Sequence, residues 1–221
     1  MFISRIEVAW EKARNPYDLH RAVWTLFPGQ EKEPREKLDE PRQGFLFRVE
    51  ESRTGRSSRL LVQSQIEPLA KGQGAWSLGT REFDPKPSEG QRLEFLLTAN
   101  PIKTIIDQDY AAKAGKKPNK RGEFKCRKPL FLEEEQIAWL NKQLAYCAVV
   151  ESVSVQPHPL LFFRDKRKNN GKLLTVTFQG LLSVIEPAVL RDRLRNGIGP
   201  AKAFGCGLLL ARRADTERRP E

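Results

Sequence analysis

The sequence predicts an α+β protein of two successive units, each with antiparallel strands carrying helices on one face. Three observations predict it. Apolar residues fall into short alternating runs of strand type, separated by three stripes of helical spacing. The first half reads β-α-β-β-loop-β, close to the split βαβ arrangement. The second half reads β-α-β-β-α-β. No sequence repeat relates the halves, so any duplication is structural.

Residues 2–10 alternate as Phe2, Ile3, Ile6, Val8 and Trp10 among polar positions, a half-buried strand. Asn15-Pro16 opens a helix, with Asn15 as cap and Pro16 in the first turn. Leu19, Ala22, Val23, Leu26 and Phe27 then form one apolar stripe, ended by Pro28-Gly29. QEKEPREKLDEP reads as a mobile loop. Strands follow at 44–51 and 59–66, joined by the turn-rich SRTGRSS. Pro, Gly and Ser through 68–90 predict a connection with little regular structure, and QRLEFLLTANP (91–101) resumes strand character.

The second half begins with PIKTIID, a weak first strand, and a basic insertion. Residues 113–128 carry eight Lys/Arg against Glu123 and read mostly as a flexible loop. A helix follows, with Glu133, Glu134 and Glu135 at its positive end and Ile137, Leu140 and Leu144 as its buried stripe. Strand patterns occupy 148–156 and 173–184. Between them LFFRDKRKNNGK reads as a basic hairpin turning at Asn170-Gly171. Glu186-Pro187 starts a last helix with Val189, Leu190 and Leu194 inward and Arg191, Arg193 and Arg195 outward; Asn196-Gly197 stops it. A glycine-rich loop then runs into a short apolar strand. The domain reading is 1–90 for the first unit, with a final strand that can extend to about 100, then 91–211 for the second and 212–221 as a disordered tail.

The 221 residues hold 39 Lys/Arg against 28 Asp/Glu, a formal charge of +11, and 39% are hydrophobic. A basic excess of this size points to a polyanion, most simply nucleic acid. A solubilising surface, or a ribosome-associated basic protein, is the plainer alternative. No apolar run approaches the ~20 residues of a membrane span, and Arg5 and Glu7 interrupt any leader-like segment at the start. Cys126, Cys147 and Cys206 form no CxxC or Cys/His cluster, so no metal is expected and a reducing cytosol fits.

The chain has two histidines. Tyr17, His20 and Trp24 fall at i, i+3, i+7 beside the core stripe of the first helix, a semi-exposed face on which an imidazole can exchange a proton near neutrality. Ordinary helix-edge residues are the bland reading of the same spacing. His158, in the rigid Pro157-His158-Pro159, reads as a loop residue at an RNA surface. The hairpin offers Arg164, Lys166, Arg167, Lys168 and Lys172 against Asp165; it suits an RNA groove or simply solvent. Gly197, Gly199, Lys202, Gly205 and Gly207 form a loop that either approaches phosphates closely or makes a structural turn. It is neither a P-loop nor a dinucleotide fingerprint, since helix and strand stand in the wrong order.

YDLHRAVWTLFPG, LLTANPIKTIID, EEEQIAWLNKQLA and GIGPAKAFGCGLLLA stand in this order across most of residues 1–211. Together they resemble the CasE (Cse3) family of CRISPR repeat-processing endoribonucleases of type I-E Cascade complexes. The resemblance implies two tandem ferredoxin-like (RRM-like) domains, each a four-stranded antiparallel sheet with helices on one face. It implies metal-independent cleavage of precursor CRISPR RNA at the 3′ side of a stem-loop, needing no cofactor. The RNA's own 2′-hydroxyl would attack, giving a 2′,3′-cyclic phosphate and a 5′-hydroxyl, and the guide RNA would be retained with other Cascade subunits in the cytoplasm. The family's catalytic histidine and neighbouring tyrosine match His20 and Tyr17. A non-catalytic RNA-binding assembly subunit or RNA chaperone is the alternative expectation.

Overall fold

The computed structural model describes residues 1–29, 44–106, 125–164 and 170–214. The elements in chain order are β1 (Phe2–Ala9), α1 (Trp10–Ala13), α2 (Pro16–Trp24), β2 (Phe45–Arg53), β3 (Ser57–Ser64) and β4 (Ala75–Glu82). There follow β5 (Arg92–Ala99), β6 (Ile102–Ile106), β7 (Lys125–Pro129), α3 (Glu133–Leu144) and β8 (Ala148–Pro157). The chain continues through β9 (Leu161–Arg164), β10 (Asn170–Leu173), β11 (Val176–Val184), α4 (Pro187–Asn196), a 3₁₀ turn (Lys202–Phe204) and β12 (Leu209–Arg213).

Two four-stranded antiparallel sheets result, ordered β2-β3-β1-β4 and β12-β5-β11-β8. Numbered within each unit, both read 4-1-3-2, the order of the ferredoxin-like fold. The second unit has both crossover helices, α3 and α4. In the first, residues 65–74 replace the second helix. The α2 stripe of Leu19, Ala22, Val23, Leu26 and Phe27 is fully buried against Ile6, Val8, Phe45, Phe47, Leu60 and Val62. Such burial supplies on the order of 1.5–3 kcal/mol for each large apolar side chain. Phe95, Leu97, Phe178, Leu140, Leu190 and Ile198 lie in the second core.

Several expectations are corrected. The 68–90 region contains β4, which pairs with β1 along its length. Only Ala75 of that strand is buried, so no apolar alternation betrays it. The backbone ladder and the Thr80–Ser4 hydroxyl contact (3.0 Å) hold it instead. The 91–101 segment does not complete the first sheet, because β5 is bonded to β11 and β12. PIKTIID supplies β6, which among the described residues pairs only with β7, in a separate ribbon. Lys125–Pro129 is therefore strand where a flexible loop was expected.

Asn170 and Gly171 are not turn residues. They pair with Arg164 and Phe163 inside the β9–β10 hairpin, and a Cβ on Gly171 would stand 2.1 Å from the Phe163 ring. Arg212 and Arg213 belong to β12 rather than to a disordered tail, and Arg212 is ion-paired with Glu94. On α3 the buried set is Gln136, Trp139, Leu140 and Leu144, while Ile137 is half-buried. Arg191 is half-buried and ion-paired with Asp84 at 2.5 Å rather than free in water. The expected loop at 30–41, most of the 113–128 insertion and the tail beyond Ala214 lie outside the described residues.

The units are joined through side chains as well as by the linker. Gln63 Nε2 on β3 donates to the Leu194 and Arg195 carbonyls at the end of α4, at 2.8 and 3.1 Å. Asp84 pairs with both Arg191 and Arg195. These contacts set the glycine-rich loop against the first sheet.

Candidate RNA-processing site

Asn15 caps α2 as expected, its Oδ1 accepting the Tyr17 N–H at 3.3 Å. That fixes the first turn and puts Tyr17 and His20 on one half-buried face. The His20 ring lies 5.1 Å from the Phe45 ring and 6.2 Å from that of Phe47, with Trp24 meeting it edge-on at 6.0 Å. The rings of Phe45, Phe47 and Trp24 packed about the imidazole restrict its rotation.

Two further elements meet this face. The α2 helix packs against both the 3₁₀ turn and β9. The same Asn15 that caps α2 donates through Nδ2 to the Arg164 carbonyl on β9, at 3.1 Å. Phe163, beside Arg164, packs on Phe204 of the 3₁₀ turn with ring centroids 4.6 Å apart. Phe47, under His20, lies where a Cβ on Gly205 would be 3.2 Å from its ring. Thus α2, the basic hairpin and the glycine-rich loop converge. Of the hairpin cations, Arg164 and Lys172 are described; Lys166, Arg167 and Lys168 lie outside the described residues.

The glycine-rich loop is compact for a packing reason. Gly197, Gly199, Gly205 and Gly207 all have positive φ. A Cβ on Gly197 would meet the Gly207 carbonyl at 2.7 Å and Leu46 at 2.8 Å, so the loop closes only with glycine there. The N–H groups of Gly197, Gly205 and Gly207 donate to the carbonyls of Arg193, Lys202 and Thr98. These three are committed inside the protein and do not point at a phosphate. Lys202 Nζ donates to the Asn196 carbonyl at 2.6 Å, closing the end of α4. Ala201 adopts left-handed backbone at φ 63°, which costs a non-glycine residue energy. Cys206 is buried within the loop, and burial pushes its thiol up to about 12, too high for a thiolate near neutrality.

His158 is not at this site. Its Nε2 bonds to Thr177 Oγ1 at 2.8 Å on the outer face of the second sheet. Burial and the charge of Arg48 lower its proton affinity below the ordinary histidine value. Among the described residues no three His, Cys, Asp or Glu side chains gather as a metal-ligand group, and no helix is long and apolar enough to cross a membrane.

The sequence pattern placed Tyr17 and His20 on one helix face and gave the Asn15 cap, but not the bond from Asn15 to the hairpin or the Phe163–Phe204 contact. A capping asparagine carries no mark of a second partner 149 residues away. Only the excess of aromatic residues near both segments hints at the second contact.

Comparison with known proteins agrees with this architecture. The family model described as CRISPR associated protein matches residues 1–213. The CRISPR system Cascade subunit CasE of Escherichia coli (strain K12) is 37% identical over 211 residues, spanning 95% of this chain and 98% of that protein. The CRISPR-associated endoribonuclease Cse3 of Thermus thermophilus is 33% identical, over 88% of this chain and 89% of its own length. Among solved structures, E. coli Cas6e superposes with a TM-score of 0.77 at 34% identity, over 97% of this chain and 100% of its own. Thermus thermophilus Cse3 bound to an RNA representing a pre-cleavage complex gives 0.67 at 27%, over 96% and 100%. With full-length matches in both sequence and fold, the chain belongs to the CasE/Cse3 family of CRISPR-associated proteins.

Proposed function

We propose that this protein is an endoribonuclease that cleaves precursor CRISPR RNA within its repeats, at the 3′ side of a stem-loop, without a metal ion. It then retains the guide RNA as a subunit of a Cascade assembly in the cytoplasm. The 2′-hydroxyl oxygen beside the scissile linkage attacks phosphorus and the bond to the 5′-oxygen breaks. The products are a 2′,3′-cyclic phosphate and a 5′-hydroxyl. One proton leaves the 2′-oxygen and one reaches the departing 5′-oxygen. His20 performs one of these transfers, and a single imidazole cannot perform both at once. Tyr17, one turn earlier on the same face, orients the imidazole or donates to a phosphate oxygen.

Arg164, Lys166, Arg167, Lys168 and Lys172 grip the stem through its phosphates and shape, since the deep major groove of A-form RNA hides its base edges from side chains. The loop with Gly197, Gly199, Gly205 and Gly207 meets RNA as a close-packed surface carrying Lys202, rather than as a row of amide donors. Holding the 2′-oxygen in line with phosphorus supplies much of the acceleration, because a free RNA strand rarely samples that geometry.

The observation that carries this reading is the pair of hydrogen bonds by which Asn15 joins the first turn of the helix bearing His20 to the backbone of the basic hairpin. RNA seated on the hairpin is thereby indexed to the imidazole. Incubating the purified protein with repeat RNA in EDTA tests it: two fragments with the stated ends support it, and intact bound RNA favours a non-catalytic assembly subunit.

A further inference from the structure

The two sheets have faces that neither core uses. Phe45 and Phe47 point into the first core, so Leu46 and Arg48 on β2 point to the opposite face. There Arg48 lies beside Leu61 of β3, which in turn lies beside Arg5 of β1. On the second sheet, Leu97 and Phe178 point into the core, so Thr98 and Thr177 point outward. Their hydroxyls bond at 2.9 Å, and Thr177 holds His158. The Thr98 carbonyl receives the Gly207 N–H at 2.7 Å, so this relay ends at the glycine-rich loop. Leu46, next to Arg48, abuts the same loop at Gly197. Arg48 and His158 therefore come from different units, on two sheet faces that both meet the glycine-rich loop, opposite the first core.

Arg48 is half-buried, and among the described residues its enclosed Nε has no hydrogen-bond partner. The carboxylate that acts on it is Glu50, which also faces Arg5 at 4.0 Å. A guanidinium partly removed from water, without a bond for Nε and with an imidazole for a neighbour, is unfavourable in the free protein. Burial lowers the proton affinity of both groups, and the Glu50 carboxylate offsets part of that at Arg48. An oxyanion bound between the two faces would relieve all of this at once, and a guanidinium fork suits phosphate.

We propose that Arg48, with His158 beside it, binds a backbone phosphate of the unpaired RNA flanking the stem-loop, between the two sheet faces. An unpaired strand is free to bend around a recessed side chain, whereas the phosphates of the paired stem are held on a rigid rod. This rests on the endoribonuclease reading above and extends it by a second contact region, distinct from the hairpin.

The test uses the full chain and a repeat RNA that the wild-type protein cleaves; if it cleaves none, the functional reading fails and the test of Arg48 does not begin. Arg48→Met and Arg48→Gln are compared with wild type on three RNAs: the bare stem-loop, and the stem-loop with either its 5′ or its 3′ unpaired flank. The expected result is a loss of about 5- to 10-fold in affinity for one flanked RNA, with the bare stem-loop bound within 2-fold. The slope of log affinity against log salt should fall by about 0.7, as for one single-strand phosphate. One neutral methylphosphonate in that flank should reproduce the loss in wild type and add nothing in the variants. Arg48→Met should also melt no lower than wild type, since it removes a partly desolvated charge whose Nε has no hydrogen-bond partner among the described residues. Unchanged affinity for both flanked RNAs overturns the proposal. So does an equal loss on all three RNAs with a lower melting temperature, which marks Arg48 as structural. Loss of Cascade assembly with RNA binding intact would assign the site to a protein carboxylate and overturn it as well.

Discussion

Asn15 and Arg164, 149 residues apart, are joined by a hydrogen bond from the Asn15 amide to the Arg164 carbonyl at 3.1 Å. Because the other end of that amide caps α2, one side chain couples the helix bearing His20 to the hairpin. Asn15→Ala removes both bonds and should lower stability by about 1 kcal/mol, the usual worth of a cap. Asn15→Ser keeps a cap acceptor and loses the amide nitrogen that donates to Arg164 and Asp18. It should therefore melt close to wild type while hydrogen exchange quickens in 161–164. Equal exchange in the two proteins would show that the bond to the hairpin carries no constraint.

Reversing charge at Arg164, Lys166 and Arg167 should weaken stem-loop binding and flatten its salt dependence. Each lost phosphate contact should cut the slope by about 0.7–0.9. An affinity that does not move across a salt titration would remove the hairpin from the RNA interface.

Ala201 holds left-handed backbone without a glycine's freedom. Ala201→Gly should raise stability by roughly 1 kcal/mol, the order of the steric cost relieved, read as a higher melting temperature. Gly205→Ala should do the reverse, since φ is +81° there and the added Cβ crowds Phe47 at 3.2 Å. If both variants melt as wild type does, the loop is softer than its backbone angles imply.

His158 resists protonation in the folded state, through burial and the nearby Arg48 charge. The unfolded chain takes up that proton near pH 6.5, so it binds more protons than the folded one below that pH. Stability contributed by neutral His158 is complete above the ordinary histidine value and is lost as pH falls through it toward the lowered folded one. His158→Gln should flatten this part of the curve of melting temperature against pH. An unchanged slope would assign the acid sensitivity to other groups.

The elements most legible in the sequence are those whose burial follows a period. The α2 stripe from Leu19 to Phe27 and the alternation in β1, β3 and β5 could be read because each has one wet and one dry face. β4 escaped because its bonds are mostly between backbone groups, and only Ala75 is buried. Assigning β5 to its sheet was equally out of reach, since a strand's pattern says that it pairs and not with whom. Within the candidate site, His20 and Tyr17 were legible from helical spacing and resemblance together. The glycines were visible, yet their reason was not. Gly197 and Gly207 are glycine because each leaves no room for a side chain beside the other's end of the loop, a contact no local spacing encodes. Arg48 and His158 were invisible as a pair, because their meeting depends on how the two units dock.

In the proposed reaction the His20 imidazole moves a proton during cleavage. Single-turnover cleavage of saturating repeat RNA in EDTA, with the ends of both fragments identified, measures it most directly in wild type, His20→Ala and Tyr17→Phe. Wild type should give a 2′,3′-cyclic phosphate and a 5′-hydroxyl. His20→Ala should slow cleavage by about 10²–10⁴-fold, the usual contribution of a positioned acid or base, with stem-loop affinity unchanged, and Tyr17→Phe should cost less. Cleavage by His20→Ala at the wild-type rate, with the same ends, would contradict that role.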